Sequence, residues 1–421
     1  MPSPAHADRL IRRGDRNQQR MHFGSLDEQI PEDHRVRIID EAVSGLDLGA
    51  FYAEVQARAR VGGRPAHDPA VLLSLWLLAT LDGVGSAREL SRLVDESAPY
   101  RWLAGGEAIS YHVLACFRTA HAAKLDVVLT RLVAGLVSEG LVTMEHVAQD
   151  GMRVRASAGA ASFHRQPSLA ETLAAAEAQL AALRQELASD SAAGTRRQQA
   201  ARLRAARERQ ARVAQALART MELDAQRSDD AGPGRASSSD PDARVMKQGD
   251  GGFRPSYNVQ LATDAGSQII VGVAVTTQGS DLGLAAPMHR QVRERTGVTP
   301  RTYLVDGGFA KVDDIEAIDN AGSTILAPVP KPKDPKRDRH APRDGDSPAV
   351  GLWRIRMGEA ASKILYHLRA ATAECVNAHF RNRGMRAMPT RGVDKAYACT
   401  LWQVLAHNLM RVAVLRMPAG V

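Results

Sequence analysis

The chain has 421 residues, 44% hydrophobic and 24% charged, so it is too apolar for a disordered protein and long enough for two or three domains. Its formal net charge of +8 has the sign needed near a phosphate backbone, although many proteins share it. Three cysteines without CxxC spacing argue against a disulfide framework or structural zinc, and the lack of a long apolar segment predicts a cytoplasmic protein with no membrane span.

The N-terminal third is predicted to be helical. Residues 1–25, rich in Arg, Gln and His, are interpreted as a flexible basic arm. From 26 to 140 the apolar residues follow a helical period, which favours a helical DNA-binding domain. A plain helical bundle with Trp76 and Trp102 in its core explains any single one of these helices equally well.

A helix-turn-helix is plausible within this region. Asp68-Pro69 supplies an N-cap and a first-turn proline for a helix over 70–81, and the capping box Ser86-Ala-Arg-Glu89 opens a helix over 88–94. Residues 82–85 form the turn between the two. Further helices are expected over 107–121 and 124–139.

Residues 166–230 consist almost wholly of Ala, Leu, Arg, Gln and Glu and are predicted to form a coiled-coil helical insert. Apolar residues repeat at alternating four- and three-residue steps along its first arm: Leu169, Leu173, Ala176, Leu180, Leu183 and Leu187. A break at 189–194 and a second helical arm predict an antiparallel hairpin. The second arm is rich in arginine, and its basic face contacts DNA, contacts a second subunit or is merely solvated.

The remainder, 141–165 and 231–415, is predicted to be a mixed α/β domain. Expected strands are 146–155, 257–263, 268–276, 301–306 and 323–327, with helices over 282–294 and 312–320 and a later helix around residue 374. Three meandering strands followed by alternating helices and strands is the order of a ribonuclease H-like fold. In that fold the first strand, the fourth strand and the last helix meet at one edge.

Three carboxylates occupy those elements. Asp150 and Asp306 each end an apolar strand and precede glycine, while Glu374 lies within the late helix. Each has an ordinary explanation, because Asp-Gly commonly forms a turn and a helical Glu beside Arg commonly forms a surface ion pair. Gathered together, the three would offer an oxygen-rich site for hard divalent cations, which suits phosphodiester chemistry.

The same stretches carry a family resemblance over most of the chain. The supporting strings are Ala148-Gln-Asp-Gly-Met-Arg-Val-Arg-Ala156, Asp240-Pro-Asp-Ala-Arg-Val-Met-Lys247, Tyr257-Asn-Val-Gln260, Val305-Asp-Gly-Gly-Phe309, Arg369-Ala-Ala-Thr-Ala-Glu-Cys-Val-Asn377, Arg391-Gly and His407-Asn-Leu-Met-Arg411. Together they resemble the bacterial insertion-sequence transposases of the DDE class. Many relatives carry Tyr-x2-Arg-x3-Glu-x6-Lys around the catalytic glutamate; here one extra residue separates Arg369 from Glu374, and Arg381 stands in place of Lys.

The resemblance implies a DNA transposase that cuts element ends and joins them to target DNA. Asp150, Asp306 and Glu374 would be the catalytic and metal-binding residues, holding two Mg²⁺ ions, with Mn²⁺ as a substitute. A set of cations would contact DNA: Lys247, Arg254, Arg369 and Arg381. The protein would act on DNA as a homodimer or higher oligomer. Two alternatives stay open, namely a non-enzymatic helix-turn-helix regulator that dimerises through the coiled coil, and a ribonuclease H-like nuclease without strand transfer.

Overall fold

A computed structural model describes residues 24–55, 65–189, 196–226, 232–332, 334 and 336–417. The predicted basic arm at 1–25 lies almost entirely outside these residues. None of the described helices is long and apolar enough to cross a membrane. The described residues form an N-terminal helical region, a mixed sheet covered by helices, and a helical hairpin inserted between strands of that sheet.

The N-terminal region is helical, as predicted. Its helices are α1 Arg35–Ser44, α2 Gly49–Tyr52, α3 Pro69–Leu81, α4 Ala87–Glu96, α5 Ala98–Leu103, α6 Tyr111–Ala120 and α7 Ala122–Ser138. The two predicted N-caps are present: Asp68 accepts a hydrogen bond from the Ala70 N–H, and Ser86 accepts one from the Glu89 N–H. Ten of the 13 residues of α3 are buried, including Trp76 at 2% exposure. Helix α3 is therefore a core helix and has no free face for a DNA groove.

The sheet is mixed. Its strands are β1 His146–Arg155, β4 Arg244–Lys247, β5 Phe253–Asp264, β6 Ile270–Thr276, β7 Thr302–Leu304 and β8 Thr324–Leu326; the short pair β2 Phe163–His164 and β3 Ala236–Ser237 stands apart. The order is β4-β5-β1-β7-β8, with β6 also paired to β5. Neighbours β4, β5, β6 and β1 are antiparallel, whereas β1, β7 and β8 run parallel. The five predicted strands are confirmed to within a few residues, and β2, β3 and β4 are additions.

One feature of β1 differs from the expectation. Asp150 does not end its strand, since β1 continues through Gly151 to Arg155 with antiparallel pairing to β5. Gly151 is absent from the residues with positive φ, so Asp150-Gly151 is not a turn. The alternation of Met152 and Val154 with arginines keeps this segment extended, because one face is buried and the other meets polar surroundings.

Helices cover both faces of the sheet. They are α10 Ala285–Thr296, α11 Val312–Asn320, α12 Pro348–Gly358, α13 Ala360–Tyr366, α14 Leu368–Asn382 and α15 Val393–Leu415. Helix α14 packs on β1, while α15 contacts α3 and α7 on one side and β6 on the other. Buried residues from Ile30 to Val412 consequently form one continuous hydrophobic core through the helical region and the sheet.

The insert between β2 and β3 contains two long helices, α8 Gln166–Ser189 and α9 Arg196–Ala225, which pack against each other. Leu169, Val213 and Ala216 form a small separate cluster with Ala236 at its base. Arg202 forms an ion pair with Glu186 across the two helices. The predicted break at 189–194 lies mostly outside the described residues.

Candidate active site

Asp150 and Asp306 lie side by side at the centre of the sheet. The last register pair between the parallel strands β1 and β7 is Ala148 with Leu304, and each aspartate follows two residues later. Because strand side chains alternate at period two and neighbouring strands lie about 4.8 Å apart, the two carboxylates project on one face as neighbours. Asp306 also accepts a hydrogen bond from the Gly308 N–H at 2.7 Å, which fixes its side chain.

Asp150 is the more constrained of the two. Its Oδ2 accepts a hydrogen bond from Asn377 Nδ2 at 2.9 Å, and its Oδ1 accepts one from the Gly151 N–H at 2.9 Å. Arg369 Nη1 lies 3.7 Å from Oδ1. Burial raises the pKa of Asp150 above its usual value; Arg369 and the Gly151 N–H oppose this rise, and the charge of Asp306 adds to it.

Glu374 lies on the same helix as Asn377, one turn earlier, but its side chain is exposed. Within the described residues, no three His, Cys, Asp or Glu side chains come together in a group that would hold a metal ion. The structure thus brings Asp150 and Asp306 together and leaves Glu374 outside that pair.

The pair suits a hard cation by the chemistry of its donors. Both groups are carboxylates, whose oxygens are the ligands that Mg²⁺ prefers, and the charge of Asp306 raises the pKa of Asp150. A bound divalent cation would remove that repulsion. Arg369 already offsets part of it, and its guanidinium also lies over the Tyr366 ring at 6.0 Å.

On the opposite face of β1, a polar network fills the space beside Gly151. Asp281 Oδ1 accepts hydrogen bonds from Asn258 Nδ2 and Gln260 Nε2, each at 2.7 Å, and its Oδ2 pairs with Arg153 Nη1 at 2.8 Å. A Cβ on Gly151 would lie 2.5 Å from Asp281 Oδ1 and closer still to Gln260 Nε2. Glycine is therefore required at this position, because the side chains of this network approach the backbone too closely to leave room for a Cβ.

An open cleft with a volume of about 1010 Å³ lies beside the aspartates. It forms where β1 extends beyond its parallel partner β7, because β7 ends at Leu304 while β1 continues to Arg155. Gly151 and Gly308, which follow Asp150 and Asp306 by one and two residues in the sequence, line this cleft. The cleft therefore reaches the backbone next to both aspartates.

Cations predominate in the cleft lining. They are Arg153, Arg155, Lys247, Arg254, Arg381 and Arg386, against the carboxylates Asp250 and Asp281. Three of the four predicted DNA contacts, Lys247, Arg254 and Arg381, are among them, and the fourth, Arg369, faces Asp150 instead. Sequence reasoning missed Arg153 and Arg155, although their alternation with Met152 and Val154 was a period-two signal in the strand that carries Asp150.

Comparison with known proteins gives two matches, both to sequence families. The family described as "Transposase DDE domain" matches residues 195–409, just over half of the chain. The family described as "Transposase domain (DUF772)" matches residues 24–120, within the N-terminal helices. Neither a curated protein nor a solved structure matches the chain.

Proposed function

Since the chain belongs to the DDE transposases, a family of DNA-cleaving enzymes, we propose that Asp150, Asp306 and Glu374 are the three carboxylates of its active site. The observation that carries the proposal is the placement of Asp150 and Asp306 two residues beyond the last register pair of the parallel strands β1 and β7, beside a cationic cleft. A non-enzymatic regulator, which the sequence left open, does not agree with the family.

We infer a ribonuclease H-like catalytic fold from the sheet. The central strand β1 is flanked on one side by the antiparallel β5 and β6 and on the other by the parallel β7 and β8. That order and those directions are the ones expected for this fold. The aspartates then occupy its first and fourth strands, and Glu374 occupies a helix packed on the first strand.

In this assignment, Asp150 and Asp306 would hold Mg²⁺, with Glu374 completing the ligand set. When bound, the ions would supply Lewis-acid activation of the attacking oxygen and stabilisation of the leaving oxygen. The protein's own groups prepare the site. Asn377 orients Asp150 by its hydrogen bond, and Arg369 opposes the rise in the pKa of Asp150 that burial causes, which favours the anion.

Glu374 must approach the aspartates to take this role. Glu374 lies one turn from Asn377, whose side chain reaches Asp150, so a rotation or shift of this part of α14 would bring the Glu374 carboxylate closer to the aspartates. Binding of cations would supply the free energy for that shift, because cations reduce the repulsion among the three carboxylates.

DNA would lie in the cleft, where Lys247, Arg254 and Arg381 contact its phosphates. The N-terminal helices, which match a transposase domain of their own, would recognise the element ends. The division into a DNA-binding region, 26–140, and a catalytic region, 141–165 with 231–415, is then one of function, because one hydrophobic core runs through both. We further infer action as a homodimer or larger assembly on DNA, in the cytoplasm.

The test uses the full chain and duplex DNA carrying the sequences that flank its gene. Asp150→Asn, Asp306→Asn and Glu374→Gln should each abolish Mg²⁺-dependent cleavage while binding of the DNA end changes only a few-fold. Asp313→Asn, which removes a surface carboxylate on α11 near Asp306, is the matched control and should cleave normally. If any of the three variants still cleaves, the residue it replaces is not part of the active site. Joining of the cut ends to a target DNA distinguishes a transposase from a simple nuclease.

A further inference from the structure

We propose that Arg155 and Arg386 form a second phosphate-binding site, which holds the DNA backbone where it leaves the carboxylate pair along the open edge of β1. The proposal rests on the assignment of Asp150 and Asp306 to the active site and adds the path that the DNA takes from it.

The first support is the geometry of the β1 edge. Beyond Ala148 the edge loses its partner β7, and it regains one at Arg155, which forms an isolated parallel bridge with Ala387. The Arg155 N–H donates to the Arg386 carbonyl oxygen at 3.2 Å, and the Met388 N–H donates to the Arg155 carbonyl oxygen at 2.7 Å. The backbones that carry the two arginines are therefore fixed together at one end of the cleft, while both side chains are exposed and line it.

The second support is the charge state of the lining. Arg153 is held by Asp281, and Arg254 by Asp250. In contrast, no carboxylate in the described parts of the chain lies within ion-pair distance of Arg155 or Arg386. Cations without a protein counterion are neutralised by salt ions, which a phosphate displaces with a gain in entropy.

The third support is the spacing. Asp150 and Arg155 are five residues apart on one strand, which is about 16 Å at 3.3 Å per residue; because their side chains leave opposite faces of β1, the DNA backbone would pass around the open edge of the strand. Successive phosphates of one DNA strand lie farther apart than the axial rise of about 3.4 Å per nucleotide, so the second site would meet the backbone fewer than about five nucleotides from the scissile bond. Arg153, two residues before Arg155 and on the same face of β1, is held in place by Asp281 and the Gly279 carbonyl oxygen.

A methylphosphonate scan of the DNA end tests this path. Single phosphates are made neutral one at a time on each side of the cleavage position, and binding is measured in EDTA, where no cleavage occurs. For the wild type, we expect about a tenfold loss of affinity at one or two phosphates within about five nucleotides of the cleavage position. For the double variant Arg155→Gln with Arg386→Gln, neutralising those same phosphates should have no further effect, and the slope of log affinity against log salt should fall by about 1.4–1.8.

Two controls make the result specific. Arg301→Gln removes an arginine that is 77% exposed at the opposite end of β7 and should leave the scan unchanged. Arg155→Lys with Arg386→Lys retains both charges and should restore most of the salt slope, which excludes misfolding as the cause. Either of two results overturns the proposal. The glutamine variant could give the same scan profile as the wild type, or the wild-type profile could have no peak at that spacing. Failure of the carboxylate assignment would be visible separately, as cleavage by Asp150→Asn with an unchanged scan.

Discussion

At the scale of single residues, Gly151 links the two faces of the site. Asp150 points toward α14, while the space that a side chain of the next residue would need is filled by Gln260 and Asp281. The blocking atoms are side-chain ends, but each is held by hydrogen bonds and cannot turn away without losing them.

Gly151→Ala is accordingly expected to destabilise the fold by roughly 1–3 kcal/mol, the usual cost of overpacking, and to reduce cleavage by shifting the adjacent Asp150. Urea unfolding and cleavage rates measure the two effects. Gly159→Ala is the matched control, because a Cβ there meets nothing within 4 Å. Equal stability of the two variants would show that the network adapts freely.

Two buried histidines give the protein a defined response to acid. His407 Nε2 donates to the Gln268 carbonyl oxygen, His289 Nε2 contacts Ser323 Oγ, and burial lowers the pKa of each to about 4. Unfolded histidine binds a proton near pH 6.5, so the unfolded state takes up more protons below that pH. The free energy of unfolding should therefore fall between about pH 6.5 and pH 4, by roughly 2–3 kcal/mol for each histidine.

Urea unfolding at a series of pH values checks this expectation. His407→Gln should flatten the pH dependence even if it changes the stability at neutral pH, whereas the exposed His112→Gln should not. An unchanged slope in His407→Gln would mean that His407 is protonated in the folded protein.

The sequence is sufficient to propose the two aspartates as site residues, but not to predict the network around Asp281. Asp150 and Asp306 were identifiable because each sits between an apolar strand and a glycine. Asp281 gave no such signal, since it lies in a loop and its partners Asn258, Gln260 and Arg153 are 21 to 128 residues away. A contact between distant segments leaves no periodicity to detect.

At the scale of elements, three helices meet at one ion pair whose arginine is buried and whose aspartate side chain is 35% exposed. Arg295 on α10 pairs with Asp126 on α7 at 2.6 Å, and the Tyr397 hydroxyl on α15 donates to the same carboxylate at 2.9 Å. The Arg295 side chain is only 3% exposed. This junction fixes the N-terminal helix α7 against α10 and α15, which both pack on the sheet.

Asp126→Asn should cost roughly 2–3 kcal/mol of stability, because it leaves a buried guanidinium facing a neutral amide. The matched control is Asp47→Asn, which breaks an ion pair with Arg131 in which both side chains are more than half exposed, and should cost below about 1 kcal/mol. Thermal unfolding of both variants measures the difference, and equal midpoints would contradict a structural role for the buried pair.

The helical hairpin offers a second test at this scale. Strands β2 and β3 pair with His164 opposite Ala236, so the ends of the insert are already adjacent. Replacing residues 166–232 by a short Gly/Ser linker should leave the sheet folded, because closure entropy changes slowly with loop length. Transposition should fall, and the salt dependence of DNA binding should weaken if the arginines of α9 contact phosphates.

Circular dichroism and a salt series on this deletion separate the outcomes. An unfolded protein would show that the hairpin belongs to the core, and unchanged activity and salt slope would show that its basic face is merely solvated. The leucine spacing was enough to predict two packed helices, but not what the outer face contacts, because solvated and binding arginines have the same pattern.

At the scale of the whole molecule, the sheet and the N-terminal helices form one hydrophobic core with a cationic cleft on the sheet side. Strand order was predictable, since three meandering strands followed by helix–strand alternation leave few arrangements. The cleft was not, because it results from β1 being seven residues longer than β7, a difference in length that composition does not encode. The central claim, that three carboxylates from this sheet and α14 form one metal site, depends on Glu374 approaching the aspartates.

The most direct measurement is a crystal structure of the full chain with a DNA end and Mn²⁺, located by its anomalous scattering. We expect metal peaks between the carboxylates of Asp150 and Asp306, with Glu374 turned inward as a further ligand and the scissile phosphate beside them. Metal bound elsewhere, or bound to the aspartates while Glu374 stays at the surface with DNA in place, would contradict the three-carboxylate site.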